Sequence, residues 1–131
     1  MKLLLDTHIW IWSLADKPRL KPRVLDALED PANEKWLSPI SLWELLILVE
    51  KGRVTLNMSV EEWIGQVLGE APFREAPLTA DVVLATKKIS LPHRDPADTL
   101  LAATALAFGL TLVTSDVRLL SVSALPTLAN R

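Results

Sequence analysis

The chain has 131 residues, half of them hydrophobic, with no cysteine and a formal net charge of −2. This length fits one folded domain with a sizeable core, so we expect residues 1–131 to form a single domain. The absence of cysteine excludes a disulfide framework and a thiolate zinc site, and favours a cytoplasmic location. The slightly acidic balance argues against a module that holds nucleic acid by bulk positive charge alone.

The sequence lacks the pattern of a signal peptide or a membrane anchor. The apolar run of residues 3–14 is interrupted by Asp6 and His8, and no small-residue cleavage site follows it. It is also shorter than the roughly 20 residues that span a bilayer. We therefore expect no membrane partner.

Strand and helix signals alternate from the N-terminus. Residues 2–5 form an apolar run that predicts a strand, and residues 7–14 predict a helix. Residues 35–37 predict a second strand, and the helix after it, residues 40–50, ends at Gly52. Strand followed by helix is the repeating unit of a parallel α/β sheet.

The middle of the chain continues this pattern. Ser59 has Glu62 three residues later, a capping-box pattern that predicts the start of an amphipathic helix. Residues 73–76 predict a short edge strand, and residues 79–89 predict a helix capped by Thr79.

The last third of the chain carries the most apolar helix. Asp95 and Pro96 begin a helix over residues 97–108, Gly109 ends it, and a β-rich run over residues 110–114 follows. Together these elements predict an α/β fold with a parallel sheet and right-handed crossovers.

The C-terminal segment gives an ambiguous strand signal. Pro126 interrupts it, so a final strand over residues 122–125 remains an open alternative.

Acidic residues follow the predicted strands or begin the helices after them. In parallel α/β sheets, ligands bind beyond the carboxyl ends of the strands. Four acids from distant parts of the sequence are expected to converge there: Asp6, Glu44, Asp98 and Asp116.

Each acid also has a structural interpretation. Asp6 and Asp116 could cap the helices that follow them. Asp98, three residues after the N-cap candidate Asp95, suits the helix dipole. Glu44 could complete a capping box with Ser41, although Pro39 indicates that this helix starts at Ser38, which puts Glu44 in its second turn. The helix of Asp98 contains no lysine or arginine, so its charge needs a partner from elsewhere.

Clustered carboxylates predict a metal site. Like charges repel unless a cation lies between them, and carboxylate oxygens suit Mg²⁺ or Mn²⁺. Such ions promote hydrolysis of a nucleic-acid backbone without a serine, cysteine or histidine nucleophile.

Four sequence segments carry the acids in chain order. They are the Leu-Leu-Leu-Asp-Thr-His run of residues 3–8, the Ser-Pro-Ile-Ser-Leu-Trp-Glu segment of residues 38–44, the His-Arg-Asp-Pro-Ala-Asp run of residues 93–98, and the Leu-Val-Thr-Ser-Asp run of residues 112–116. In order and spacing, these segments resemble the successive motifs of PIN domains, and among these the VapC-type toxins. The resemblance implies a PIN-like fold, a small parallel sheet of about five strands flanked by helices. It also implies that Asp6, Glu44, Asp98 and Asp116 are catalytic and form the metal site, with Thr7, Ser41, Thr114 and Ser115 as supporting residues.

The same resemblance implies an endoribonuclease that uses Mg²⁺ or Mn²⁺ and serves as the toxin of a toxin–antitoxin pair. A small antitoxin protein that covers the acids, an RNA substrate and a homodimer are then expected. The apolar stretches at residues 10–14 and 45–49 are candidate protein interfaces. His93 and Arg94 are candidates for RNA contact, while His8 lies near the acids without a predicted catalytic role.

Two other functions fit part of the pattern. A non-catalytic module could use the acids as helix caps and bind only RNA or a protein. A magnesium-dependent phosphatase would also place an aspartate after its first strand, but the dehalogenase-like pattern needs a second aspartate two residues later, where this chain has His8.

Overall fold

The computed structural model describes residues 1–70, 73–91 and 95–131. The strands are β1 (Lys2–Leu5), β2 (Glu34–Leu37), β3 (Phe73–Glu75), β4 (Thr111–Thr114) and β5 (Thr127–Ala129). The helices in the described ranges are α1 (Thr7–Ala15), α2 (Pro22–Glu29), α3 (Pro39–Glu50), α4 (Val60–Glu70), α5 (Ala80–Ala85), α6 (Pro96–Phe108) and α7 (Val117–Leu120). Single turns of 3-10 helix lie at Lys17–Arg19 and Thr86–Lys88.

The strands form one parallel sheet in the order β3-β2-β1-β4-β5. In its centre, Leu4 lies opposite Trp36 of β2 and Leu112 of β4. Because every neighbouring pair is parallel, the carboxyl ends of the strands share one edge of the sheet. The expected α/β class with about five parallel strands is confirmed.

The central strand divides the core into two layers. Leu3, Leu4 and Leu5 are completely buried, and successive side chains of a strand point to opposite faces. Leu4 packs in the cluster that includes residues of α6. Leu3 and Leu5 pack in the other cluster, with residues of α1, α2 and α3. A strand covered on both faces explains the continuous apolar run in the sequence.

The helix boundaries follow the local signals read from the sequence. The Oγ atom of Ser38 accepts a hydrogen bond from the backbone N–H of Ile40 at the start of α3. The Oγ atom of Ser59 accepts from the N–H of Glu62. Gly109 ends α6 with φ of +64°, a left-handed conformation that glycine adopts without a Cβ penalty. The capping predictions at these positions are confirmed.

The C-terminal strand lies later than residues 122–125. Val122 and Leu125 are buried in the core, and β5 begins after Pro126. Proline lacks an N–H but keeps its carbonyl, and the Pro126 carbonyl accepts from the N–H of Leu112 at 2.9 Å. The residue therefore leads into the strand instead of preventing it.

One helix was not predicted, and two others are short. Helix α2 begins with Pro22 and buries Val24 and Leu28, a four-residue spacing that was available in the sequence. Helix α7 is only one turn long. The helix expected over residues 79–89 instead changes to a 3-10 turn after Ala85.

The two apolar stretches proposed as interfaces belong partly to the core. Trp10 and Leu45 are completely buried, whereas Leu14 and Leu46 are 42% and 40% exposed. Within the part of the chain that the structure describes, no helix is both long and apolar enough to cross a bilayer.

Truncation of a core side chain in β1 should lower the free energy of unfolding. Leu4→Ala removes a fully buried side chain between two strands and α6, and we expect it to cost about 2 to 5 kcal/mol of unfolding free energy. Leu84→Ala is the control, because Leu84 is 65% exposed and surface changes usually stay within about 0.5 kcal/mol. Urea unfolding of both variants measures the difference; equal midpoints would contradict this core assignment.

Candidate active site

Four carboxylates line a single cavity of about 460 Å³ at the carboxyl edge of the sheet. Asp6 follows β1 and Asp116 follows β4, while Glu44 and Asp98 lie in the early turns of α3 and α6. Parallel strands and the helices after them present these positions to one edge. The structure thus brings together the four acids that the sequence analysis singled out.

The Asp6 carboxylate is held by two hydrogen bonds. The backbone N–H of Thr7 donates to Oδ1 at 2.7 Å, and the hydroxyl of Thr114 donates to Oδ2 at 2.7 Å. Burial raises the pKa of Asp6 above its usual value, while the hydrogen bonds from Thr114 and Thr7 work in the opposite direction. Asp6 therefore caps α1 and lines the cavity at the same time.

Thr7 connects Asp6 to Glu44. Its Oγ1 atom donates to Glu44 Oε1 and lies 3.0 Å from Ser41 Oγ. Because Thr7 and Ser41 are buried, their hydroxyls cannot readily replace these contacts with hydrogen bonds to water. Burial raises the pKa of Glu44, and the hydrogen bond from Thr7 opposes that shift.

Thr114 connects Asp6 to the backbone of Asp116. Its hydroxyl accepts a hydrogen bond from the Asp116 N–H at 3.0 Å while donating to Asp6. Ser115 also lines the cavity, but its hydroxyl donates to the Asn130 carbonyl and accepts from the Asn130 side-chain amide. Of this pair, Thr114 makes the direct contact with an acid of the site.

Arg118 is the main feature of the site that the sequence analysis missed. Its Nη2 atom donates to Asp116 Oδ2 at 2.7 Å and to Asp98 Oδ2 at 3.0 Å, and its Nε donates to Asp116 Oδ1 at 3.2 Å. The side-chain hydrogen bond from Arg118 is the main cause that lowers the pKa of Asp116. Asp98 does lack a basic partner in its own helix, but α7 supplies one. The available signal was an arginine two residues after Asp116.

Asp95 and Asp98 have different surroundings. Asp95 caps α6, with Oδ1 accepting from the N–H groups of Ala97 at 3.0 Å and of Asp98 at 3.2 Å. Burial, followed by the charges of Asp95, Asp6 and Asp116, raises the pKa of Asp98 to about 7 despite the opposing charge of Arg118. Asp95 also lines the cavity, so five acids contribute to its charge.

The donor set suits a hard divalent cation, since every acid of the cavity offers carboxylate oxygens. As the side chains are arranged, however, no group of three or more acidic or histidine side chains among the described residues is positioned to hold a metal ion. Asp98 and Asp116 instead share the guanidinium of Arg118, a cation already present in the cavity. The residues fit a metal in chemistry, and the side-chain arrangement would have to change to hold one.

Aromatic side chains line this cavity and a neighbouring one. His8 and Trp12 both line it, with their ring centroids 5.7 Å apart. Trp43, which is 53% exposed, lines a neighbouring cavity of about 230 Å³ together with His8 and Glu44. The predicted RNA-contact residues His93 and Arg94 lie outside the described residues.

The sequence model of one family, described as the PIN domain, matches residues 3–125. The chain belongs to the PIN-domain family. This PIN domain is 37% identical over 122 residues to ribonuclease VapC22 of Mycobacterium tuberculosis, an alignment that covers 91% of this chain and 90% of that protein.

Solved structures agree with this assignment at the level of the fold. VapBC2 from Rickettsia felis, bound to a DNA fragment from its promoter, matches with a TM-score of 0.73 and 20% identity over 98% of both chains. FitAcB from Neisseria gonorrhoeae matches with a TM-score of 0.64 and 25% identity over 98% of this chain and 97% of that one. The PIN-like fold expected from the sequence is therefore confirmed.

The contrast between Asp95 and Asp98 predicts opposite effects on stability. A carboxyl whose pKa is raised on folding stabilises the protein at low pH, and this contribution is lost as pH rises through the folded pKa, here about 7. In metal-free protein at about pH 8.5, we expect Asp98→Asn to melt at the same temperature as wild type or higher. This advantage should shrink as the pH falls below about 7.

Asp95→Ala is the comparison variant. It should cost about 0.5 to 2 kcal/mol through loss of the α6 cap, towards the lower end because Asp95 also repels Asp98. Thermal melts in EDTA across pH measure both effects. A large fall in the melting temperature of Asp98→Asn at about pH 8.5 would mean that pairing with Arg118 outweighs the repulsion.

Proposed function

We propose that this PIN domain is a Mg²⁺- or Mn²⁺-dependent endoribonuclease that acts as the toxin of a toxin–antitoxin pair. The observation that carries the proposal is the cavity in which Asp6, Glu44, Asp98 and Asp116 meet at the carboxyl edge of the sheet. Similarity over most of the chain to a protein named as a ribonuclease supports RNA as the substrate.

The four acids would hold the metal, because their oxygens are the hard donors in the cavity. The chemistry that a bound divalent ion supplies is activation of a water and neutralisation of the charge that develops on a phosphodiester. No cysteine nucleophile is available in the sequence, and the acids need none for this reaction.

The neighbouring hydroxyls would act as positioning residues. Thr114 donates to Oδ2 of Asp6, whose Oδ1 accepts from the Thr7 N–H, and the Thr7 hydroxyl donates to Oε1 of Glu44. Hydrogen bonds of this kind orient metal ligands and tune their basicity. Thr7 and Thr114 thereby support Asp6, which caps α1, and Glu44, which lies on α3.

Single-stranded or looped RNA is the substrate form that suits the cavity mouth. Sequence-specific proteins recognise unstacked bases, which stack on aromatic side chains. His8, Trp12 and the exposed Trp43 lie beside the acids and offer such surfaces. Because the net charge is −2, bulk positive charge does not attract RNA, and RNA recognition would depend on local contacts and on the metal.

A small antitoxin and a homodimer complete the proposal. The fold matches a toxin–antitoxin complex from Klebsiella pneumoniae with a TM-score of 0.65 at 20% identity, which supports the architecture. An acidic cavity would attract an arginine from an inhibiting peptide. Leu14 and Leu46, exposed by 42% and 40%, are candidate contacts for a protein partner.

Metal dependence is the decisive test of the activity. We expect the purified protein to cleave single-stranded RNA with Mn²⁺ or Mg²⁺ and to lose cleavage in excess EDTA. Asp6→Asn and Glu44→Gln should reduce cleavage by more than about 100-fold, since even outer-shell partners of metal sites typically contribute about 10- to 100-fold. Asp81→Asn is the matched control, because Asp81 is an exposed acid on α5 outside the cavity.

Full cleavage in EDTA, or unchanged cleavage by Asp6→Asn, would contradict the metal site. Binding of RNA without cleavage under all metal conditions would favour the alternative of a non-catalytic module. Cleavage of a phosphomonoester in place of RNA would favour the phosphatase alternative.

Toxicity and assembly are tested separately. Induced expression of the wild-type chain in a bacterial host should arrest growth, and expression of Asp6→Asn should not. Light scattering at micromolar concentration should give a mass near twice the 14.5 kDa of one chain. Normal growth despite RNA cleavage in vitro would contradict the toxin role, and a purely monomeric species would contradict the dimer.

A further inference from the structure

Arg118 occupies the position between two of the proposed metal ligands. We infer that Arg118 is a positioning residue that holds Asp98 and Asp116 in the metal-free protein and must release them when a divalent ion binds. It thereby sets the metal affinity of the site. This inference rests on the proposed metal-dependent function. It adds Arg118 to the residues that control metal binding, beside the four acids.

The contacts of the guanidinium are specific to these two acids. Nη2 is shared between Asp98 Oδ2 at 3.0 Å and Asp116 Oδ2 at 2.7 Å, and Nε adds a third bond to Asp116 Oδ1 at 3.2 Å. Two nitrogens on one carboxylate form the paired geometry in which arginine binds carboxylates most strongly. Among the described residues, the side-chain nitrogens of Arg118 have no other hydrogen-bond acceptor.

A metal ion and this guanidinium compete for the same oxygens. Magnesium binds carboxylate oxygens at about 2.0 to 2.1 Å, and its geometry is close to octahedral. The Oδ2 atoms of Asp98 and Asp116 already accept hydrogen bonds from the same nitrogen, Arg118 Nη2. A divalent ion placed there would lie beside a positive charge that cannot be neutralised at ordinary pH. Metal binding therefore requires the guanidinium to move.

The arrangement of the remaining acids agrees with this competition. The described residues contain no group of three acidic or histidine side chains positioned for a metal ion, although four proposed ligands line the cavity. Two of those four are turned to Arg118. Release of the arginine would free both carboxylates to join Asp6 and Glu44.

Arg118 is also placed so that it can leave. It lies on the single-turn helix α7, and its side chain is 35% exposed, compared with 13% for Asp98. A partly exposed arginine can turn towards water while the divalent ion replaces it as the partner of the two carboxylates, so that these charges stay compensated. Asp98 and Asp116 would remain fixed by their own helix starts while the longer side chain moves away.

The test compares Mn²⁺ affinity and metal-free stability in charge-matched variants. Arg118→Gln removes the charge and the paired donors, while Arg118→Lys keeps a charge without the planar fork. Arg53→Gln, at an exposed position outside the cavity, changes the net charge by the same amount. Calorimetry measures Mn²⁺ binding, and thermal melts with EDTA and with Mn²⁺ report stability without relying on RNA cleavage.

We expect Arg118→Gln to bind Mn²⁺ about tenfold more tightly than wild type, since one positive charge within a few ångströms of the ion is removed. Arg53→Gln should match wild type, and Arg118→Lys, which keeps the charge without the paired contact, should bind Mn²⁺ more tightly than wild type but less tightly than Arg118→Gln. In EDTA, Arg118→Gln should melt below wild type, because its clustered acids lose their counter-ion. Its melting temperature should also rise more on addition of Mn²⁺.

Unchanged or weaker Mn²⁺ binding by Arg118→Gln, with wild type binding normally, would overturn the role of Arg118 and leave the proposed metal site intact. Absence of Mn²⁺ binding in wild type and in every variant would overturn both. If Arg118→Gln does not fold, Arg118→Lys decides: Mn²⁺ affinity no tighter than that of wild type, with unchanged stability in EDTA, would contradict the need for the paired guanidinium contact.

Discussion

Mutual repulsion among carboxylates in one partly buried cavity is the constraint on which the arrangement of this site depends. Asp6, Glu44, Asp95, Asp98 and Asp116 all line it. Each negative charge removed from water needs hydrogen-bond donors or a cation nearby. The hydrogen-bond donors are backbone N–H groups at the starts of α1, α6 and α7 and the hydroxyls of Thr7 and Thr114. The cation is the guanidinium of Arg118. Burial first, and then the charges of Asp95, Asp6 and Asp116, still raise the pKa of Asp98, so these partners do not fully offset burial and repulsion.

Helix capping and the proposed metal binding involve the same acids. Asp6 and Asp116 cap the helices that follow them, as the structural interpretation of the sequence proposed, and both also line the cavity. A capping side chain accepts from one or two N–H groups and keeps other lone pairs available. A capping carboxylate at the carboxyl edge of a parallel sheet is therefore already positioned for ligand binding. The same acid can both cap a helix and bind a ligand.

The scaffold determines how closely these acids can approach. β1 is buried on both faces and lies between β2 and β4, so the positions that follow β1 and β4 are neighbours at one edge. Thr114, at the end of β4, then reaches Asp6 after β1 at 2.7 Å, and this contact joins residues 108 positions apart. Rigid packing beneath the cavity holds the acids together against their repulsion, as active sites generally require.

Local sequence patterns were sufficient for the central strands, the caps at Ser38 and Asp95, and the end of α6 at Gly109. They also placed the four acids after strands or in the early turns of helices, because period, capping residues and turn residues act within a few positions. They did not reveal the pairing of Arg118 with Asp98, or that β5 lies beyond Pro126 while Val122 and Leu125 enter the core. These features depend on contacts between distant segments. The packing of the helices on the sheet brings Arg118 to a carboxylate twenty residues away. The same packing brings the Pro126 carbonyl to the neighbouring strand. Local sequence does not determine either distance.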